Sequence, residues 1–181
     1  MSRRRTSLVI IMTGDGKGKT TSAFGQALRA AGSGLRVAIV QFIKGPWQTG
    51  EMRALARTDL PISVQRTGLG VTIEQLRDPR IPMEAHAAAA REGLELARGH
   101  LQSGQVDLVV LDEILGAITA GLFSTGDVLE LITTRAPGVH VLLTGRNAPP
   151  SLIEAADLVS EVRLVRHPQT QGIAPQMGIE F

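Results

Sequence analysis

Gly18-Lys19-Thr20-Thr21 closes a glycine-rich turn, Thr13-Gly14-Asp15-Gly16-Lys17-Gly18, that follows directly on the apolar run 8–12. Glycines let backbone N–H groups turn inward around phosphate oxygens, a helix opening there presents its positive end, and a lysine adds a compact charge. The turn resembles a Walker A phosphate loop, with Lys19 as the fixed cation and Thr20 placed to ligate a magnesium ion. Its usual first glycine falls at Thr13, and glycines stand at 14 and 16 instead. The alternative is a flexible turn carrying two solvated lysines.

Asp112-Glu113 ends another apolar run, 106–111. A carboxylate at the carboxyl end of a buried strand is what a Walker B element needs to reach a metal beside the phosphate loop, and this is the only strand expected to end in adjacent acids. The alternative is a pair of acids opening the next helix. Arg146 follows the run 139–143 and reads either as a cation on the polyphosphate or as a surface arginine. Trp47, the only tryptophan, is divided between loop packing and ligand contact. His167 precedes Pro168 and reads as a surface imidazole opening a turn. His86, His100 and His140 have no metal-ligand spacing.

The cations are unevenly divided, sixteen arginines against three lysines, Lys17, Lys19 and Lys44. Where a chain uses arginine for generic positive charge, its lysines are the exceptions, and all three fall in two short glycine-containing segments where a point charge fits better than a planar guanidinium.

The elements that must position these residues alternate along the chain. Apolar, β-branched runs predict strands at 8–12, 35–43, 62–66, 106–111, 139–143 and 159–165. Helical patterns lie at 19–31, 51–57, 82–102 and 151–156, the first stopped by Gly32-Ser33-Gly34 and the third begun by Pro82. Near-continuous apolar strands alternating with helices imply a parallel sheet covered on both faces, a three-layer α/β fold.

A chain of 181 residues, 43% hydrophobic and 20% charged, is sized and composed for one globular domain. A flexible basic segment at 1–7 and a single domain at 8–181 are expected. There is no cysteine, which removes disulfides, thiolate catalysis and Cys-ligated metals. No apolar run nears the roughly 18 residues of a membrane span, so no membrane partner and a cytoplasmic location are expected. The pI of 9.7 exaggerates a net charge of only +2 in a chain without tyrosine. Arg3 to Arg5 form the one basic run and carry no interleaved aromatics, so no nucleic-acid partner is expected.

Four segments in order, TGDGKGKTTSAFGQALRAAGSGLRVAIVQFIKGPW (13–47), VDLVVLDE (106–113), TGRNAPPSLIEAADLVSEV (144–162) and HPQTQGIAPQMGIEF (167–181), resemble the ATP:corrinoid adenosyltransferases of the CobA and BtuR type. GDGKGKTT alone indicates only a P-loop protein; QFIKGPW, TGRNAPP and the Gly-Ile-Glu-Phe segment narrow it. The resemblance implies a RecA-like P-loop NTPase fold, a homodimer, and transfer of the 5′-deoxyadenosyl group from ATP to reduced corrinoid cobalt, leaving triphosphate. It further implies an ATP held in a sense inverted from most P-loop enzymes, a cobalt(I) nucleophile that needs no protein base, and an electron donor protein that reduces the cobalt. Carried over by position, Gly14, Asp15, Gly16, Lys17, Gly18, Lys19, Thr20 and Thr21, with Arg146, hold ATP. Thr20, Asp112 and Glu113 hold Mg2+, Lys19 and Glu113 serve catalysis, and Lys44, Trp47, Val71 and Ile73 face the corrinoid. The family commonly carries aromatics at the places of Val71 and Ile73; aliphatic side chains there exclude water but cannot stack.

Two other functions fit the residues alone. One is a P-loop NTPase or kinase with Glu113 as the base. The other is a corrinoid-binding or nucleotide-sensing module without turnover.

Overall fold

The computed structural model describes residues 6–45, 48–70, 72 and 78–180. Trp47, Val71, Ile73 and the basic run at 3–5 lie outside the described residues. The elements follow in the order β1 (Val9–Thr13), α1 (Lys19–Gly32), β2 (Val37–Gln41), α2 (Gly50–Leu55), β3 (Ile62–Arg66), α3 (Met83–Ser103), β4 (Leu108–Asp112), α4 (Ile114–Thr119), α5 (Thr125–Thr133), β5 (His140–Thr144), α6 (Pro150–Ala155) and β6 (Leu158–Glu161), with a short 3-10 helix at Pro168–Gln171. The strands form one sheet in the order β3-β2-β4-β5-β1-β6, and every pairing is parallel.

Strand alternation divides the core in two. Val9, Ile11, Val40, Phe42, Val109, Leu111, Val141 and Leu143 face α3, α4, α5 and α6 in one apolar cluster. Ile39, Val110 and Leu142 face the other way, against Ala23, Phe24, Ala27 and Ala30 of α1. Small residues on α1 let it lie close to the sheet, where it contacts β1 through β5. The three-layer α/β architecture expected of the sequence is the one observed, with a sheet that is wholly parallel.

Three elements differ from the sequence expectation. The last strand stops at Glu161 rather than running to 165, because its partner β1 ends at Thr13 and the chain there turns onto the glycine loop: Val162 N–H donates to Thr13 O at 2.8 Å, and Val162 O accepts from Gly16 N–H at 2.7 Å. α4 and α5 answer to no sequence expectation. α4 buries Ile114, Leu115 and Ala117 within six residues, which leaves no polar face to reveal a period.

Parallel strands bring their carboxyl ends to one edge, the place where open α/β sheets bind ligands. Thr13, Gln41, Asp112 and Thr144 are the last residues of four of them. The register sets Gln41 beside Asp112 and Met12 beside Thr144. Because β5 lies between β1 and β4, the acids reach the glycine loop from the next strand but one.

Candidate functional site

The glycine loop is shaped by contacts that exclude side chains. At Gly14, φ is +100°, and a Cβ would stand 2.5 Å from Val162 O; only glycine meets both conditions without strain. At Gly16 a Cβ would approach Val162 O at 2.7 Å and Arg163 O at 2.8 Å. We therefore expect Gly16→Ala to push the 162–163 backbone off the loop. ATP affinity should fall by about 10-fold or more while the melting temperature drops by a few degrees, as for a change costing about 1–3 kcal/mol. Calorimetric ATP titration of a folded Gly16→Ala protein with wild-type affinity would refute this account of the loop.

Lys19, the first residue of α1, is 7% exposed. Its Nζ donates to Gly14 O and Gly16 O, each at 2.7 Å, so the ammonium is held at the centre of the turn. Burial pushes its pKa down, Glu113 and Asp15 push it up, and Arg146 pushes it down. A bound polyphosphate would return the charge to a favourable field.

Facing the loop is a saturated carboxylate. Asp112 is fully buried. Its Oδ1 accepts from Thr20 Oγ1 at 2.9 Å and Thr144 Oγ1 at 2.8 Å, and its Oδ2 accepts from Gln41 Nε2 at 2.9 Å. Lys44 Nζ stands 3.4 Å from the same Oδ2. A buried carboxylate so provided for is fixed in place. Thr144 also takes the Glu113 N–H on its hydroxyl at 2.8 Å, which ties both acids to β5. Glu113 lies in the left-handed region, φ 63°, a conformation that costs a non-glycine residue about 1 kcal/mol or more. Burial first, and then Asp112, raise the Glu113 pKa, while Lys44, Lys19 and Arg146 lower it.

Two cavities meet here. One, of about 500 Å³, is lined by residues 15–21 of the loop and α1, by Lys44 and Glu113, and by Arg146 and the tail residues His167, Thr170 and Glu180. The other, of about 580 Å³, is lined by Ile43, Thr72, Gly116, Thr119, Ala120 and Asn147. Glu113 and Arg146 line both. Gly145 seats the Arg146 loop against α4: its φ is +141°, and a Cβ would lie 2.7 Å from Leu115 Cβ.

Of the residues singled out in the sequence, Asp15 to Thr21, Arg146, Glu113 and Lys44 come together around the first cavity, with Asp112 behind them. Lys44, expected on the corrinoid, sits against Asp112 in the cleft of the glycine loop. His167 lines the same cleft and accepts the Gln169 N–H on Nδ1 at 3.2 Å. Sequence reasoning missed Gln41, Thr144 and Glu180. Gln41 could have been noticed as the one polar residue closing an otherwise apolar strand.

Oxygen donors of hard character, the Thr20 hydroxyl and the Glu113 carboxylate backed by Asp112, suit Mg2+. Among the described residues no group of three or more His, Cys, Asp or Glu could hold a metal ion by itself. The cost of burying Glu113 beside Asp112 is what a divalent ion would relieve. Among the described residues, no helix is long and apolar enough to cross a membrane.

The sequence profile of a family described as ATP:corrinoid adenosyltransferase BtuR/CobO/CobP matches residues 5–181. A corrinoid adenosyltransferase of Pseudomonas aeruginosa is 40% identical over 180 residues, covering 99% of this chain and 86% of its own length. One of Escherichia coli K12 is 36% identical over 174 residues, covering 96% and 85%. The corrinoid adenosyltransferase CobA of Salmonella typhimurium is 34% identical over 180 residues, covering 99% and 88%.

Proposed function

The chain belongs to the ATP:corrinoid adenosyltransferase family, and from that premise we propose that it transfers the 5′-deoxyadenosyl group of ATP to the reduced cobalt of a corrinoid, releasing triphosphate. The observation that carries the reading is the pair of cavities that share Glu113 and Arg146, one rich in cations and the other with an apolar edge at Ile43 and Ala120. Such a partition suits a reaction whose leaving group is polyanionic and whose acceptor is a broad macrocycle. The acceptor is cobalamin or cobyrinic acid a,c-diamide, in cobalamin biosynthesis or salvage.

The cobalt(I) substrate attacks C5′, the C5′–O bond breaks, and the electron pair leaves on the triphosphate. No proton moves at the reacting atoms, so the protein's task is to orient the nucleotide and neutralise the leaving charge. Gly14, Gly16 and Gly18 let the loop fold around the phosphates, Lys19 supplies the central cation, and Lys17, Thr21 and Arg146 border the same cleft. Thr20 and Glu113, steadied by Asp112, would hold Mg2+, which when bound neutralises phosphate charge. The second cavity is assigned to the corrinoid; Trp47, Val71 and Ile73, outside the described residues, are taken as corrinoid contacts from the family's pattern alone. The working form is a homodimer in the cytoplasm, supplied with cobalt(I) by an electron donor protein, and the domain spans 8–181.

Glu113, with its raised pKa between two cavities, is the observation that favours the NTPase or kinase reading. Chromatography of the products decides. With ATP, Mg2+ and chemically reduced corrinoid, we expect adenosylcorrinoid and triphosphate in equal amounts. ADP and phosphate without adenosylation would overturn the assignment, and saturable ATP binding with no product would mark a nucleotide-sensing module.

A further inference from the structure

All three lysines of the chain line one cleft, although they come from two separate loops and sixteen arginines were available for any site that needs only charge. Two of them are engaged with the protein around the loop: Lys19 with the Gly14 and Gly16 carbonyls, and Lys17 with Glu180, whose Oε2 lies 3.1 Å from its Nζ. Lys44 is differently placed. Its Nζ faces Asp112 Oδ2 at 3.4 Å, longer than a good charge-assisted hydrogen bond of about 2.7–2.9 Å. That oxygen already accepts from Gln41 at 2.9 Å, and its twin accepts from Thr20 and Thr144. Asp112 is therefore held without Lys44. What Lys44 adds is a positive charge beside two adjacent acids. The Lys44 side chain is 29% exposed, and its ammonium lies on the wall of the cleft that the loop lines.

We propose that Lys44 is a further triphosphate-binding cation, whose charge beside Asp112 competes with a divalent ion for the two acids and turns to the phosphates when nucleotide and metal arrive together. The inference rests on reading this cleft as the triphosphate site. It replaces the corrinoid contact expected from the sequence. Two consequences run in opposite directions. Without Lys44 the acids lose the cation that competes with a divalent ion, so metal alone binds more tightly. The triphosphate loses a counter-charge, so it binds more weakly. A structural contribution would move both affinities downward, and a corrinoid contact would move neither.

The probes are MnCl2 alone and inorganic triphosphate alone, titrated calorimetrically into the full chain as wild type, Lys44→Met and Lys44→Gln, with melting curves to verify folding. In both variants we expect triphosphate affinity to fall about 10-fold and Mn2+ affinity to rise about 3-fold or more, with Lys44→Arg retaining part of the triphosphate affinity. Unchanged triphosphate affinity, or a fall in both affinities, overturns the proposal. Weaker triphosphate with unchanged Mn2+ overturns the competition with the divalent ion and supports Lys44 as a triphosphate-binding cation. If both neutral variants fail to fold, Asp112 does need Lys44, and the proposal falls. Failure of the adenosyl-transfer reading is distinct: wild-type protein that releases ADP in place of adenosylcorrinoid defeats that function and leaves both binding measurements standing.

Discussion

Lys19→Ala is expected to lower kcat/KM for ATP by at least about 100-fold, with little recovery at high nucleotide. The ammonium that would meet the triphosphate now holds two loop carbonyls at 2.7 Å while almost wholly buried. Its loss removes a preorganised cation and leaves those carbonyls without a donor; removing one such group typically costs about 100- to 1,000-fold. Lys19→Arg should fail as well, because a planar guanidinium does not fit between Gly14 O and Gly16 O. Steady-state kinetics at limiting ATP are the test. Wild-type turnover by Lys19→Ala would remove the basis for treating the loop as a phosphate site, and an active Lys19→Arg would make the confinement of lysine to this cleft accidental.

Glu113→Gln separates the two enzymatic readings. As a magnesium ligand in adenosyl transfer, the amide should raise the metal requirement, and excess Mg2+ should restore part of the rate, since cobalt needs no deprotonation. As a general base, its loss should cost about 100- to 10,000-fold whatever the metal concentration. We expect the first, read from rate against Mg2+ at saturating ATP. A metal-insensitive loss would support the NTPase or kinase. The same variant gives a stability signal. The folded-state pKa of Glu113 is raised by burial and by Asp112, so ionising it opposes folding: the penalty is absent below the ordinary carboxylate range and grows as pH rises through the raised value. Ligand-free Glu113→Gln should therefore melt above wild type at pH 8, with the difference closing toward pH 4.

What could be read from the sequence was what short spacing encodes. Thr13 to Thr21 sits on one strand, turn and helix, so its role depends on neighbours in the chain; Asp112-Glu113 at a strand end is similarly local. The partners of Asp112 are not. Gln41 meets it only through the register of β2 on β4, and Thr144 only because β5 is the next strand over. The approach of Lys44 to Asp112 is of the same kind, since that neighbour in space is fixed by sheet order. The tail was beyond pattern reading altogether: Lys17 and Glu180 pair across nearly the whole chain, and residues 162–167 have no regular element to give a period. α5 is a different case. Its capping box, Ser124 with Asp127, was a legible helix start that went unread.

The sheet order bears on how the protein is made. Among the described strands, β1 comes first in the sheet's sequence order and pairs with β5 and β6, which come last in it. Its loop takes its final shape against Val162. A ribosome adding about 5–20 residues per second would leave the nascent glycine loop without its framework for roughly 7–30 s, while β2, β3 and β4 already have one another to pair with. Closing contacts of such long sequence separation is slow in any chain. Nucleotide cannot template the early stages of this folding. On the proposed reading, the loop meant to hold nucleotide is completed only after β6 has been made, although its own residues precede β2.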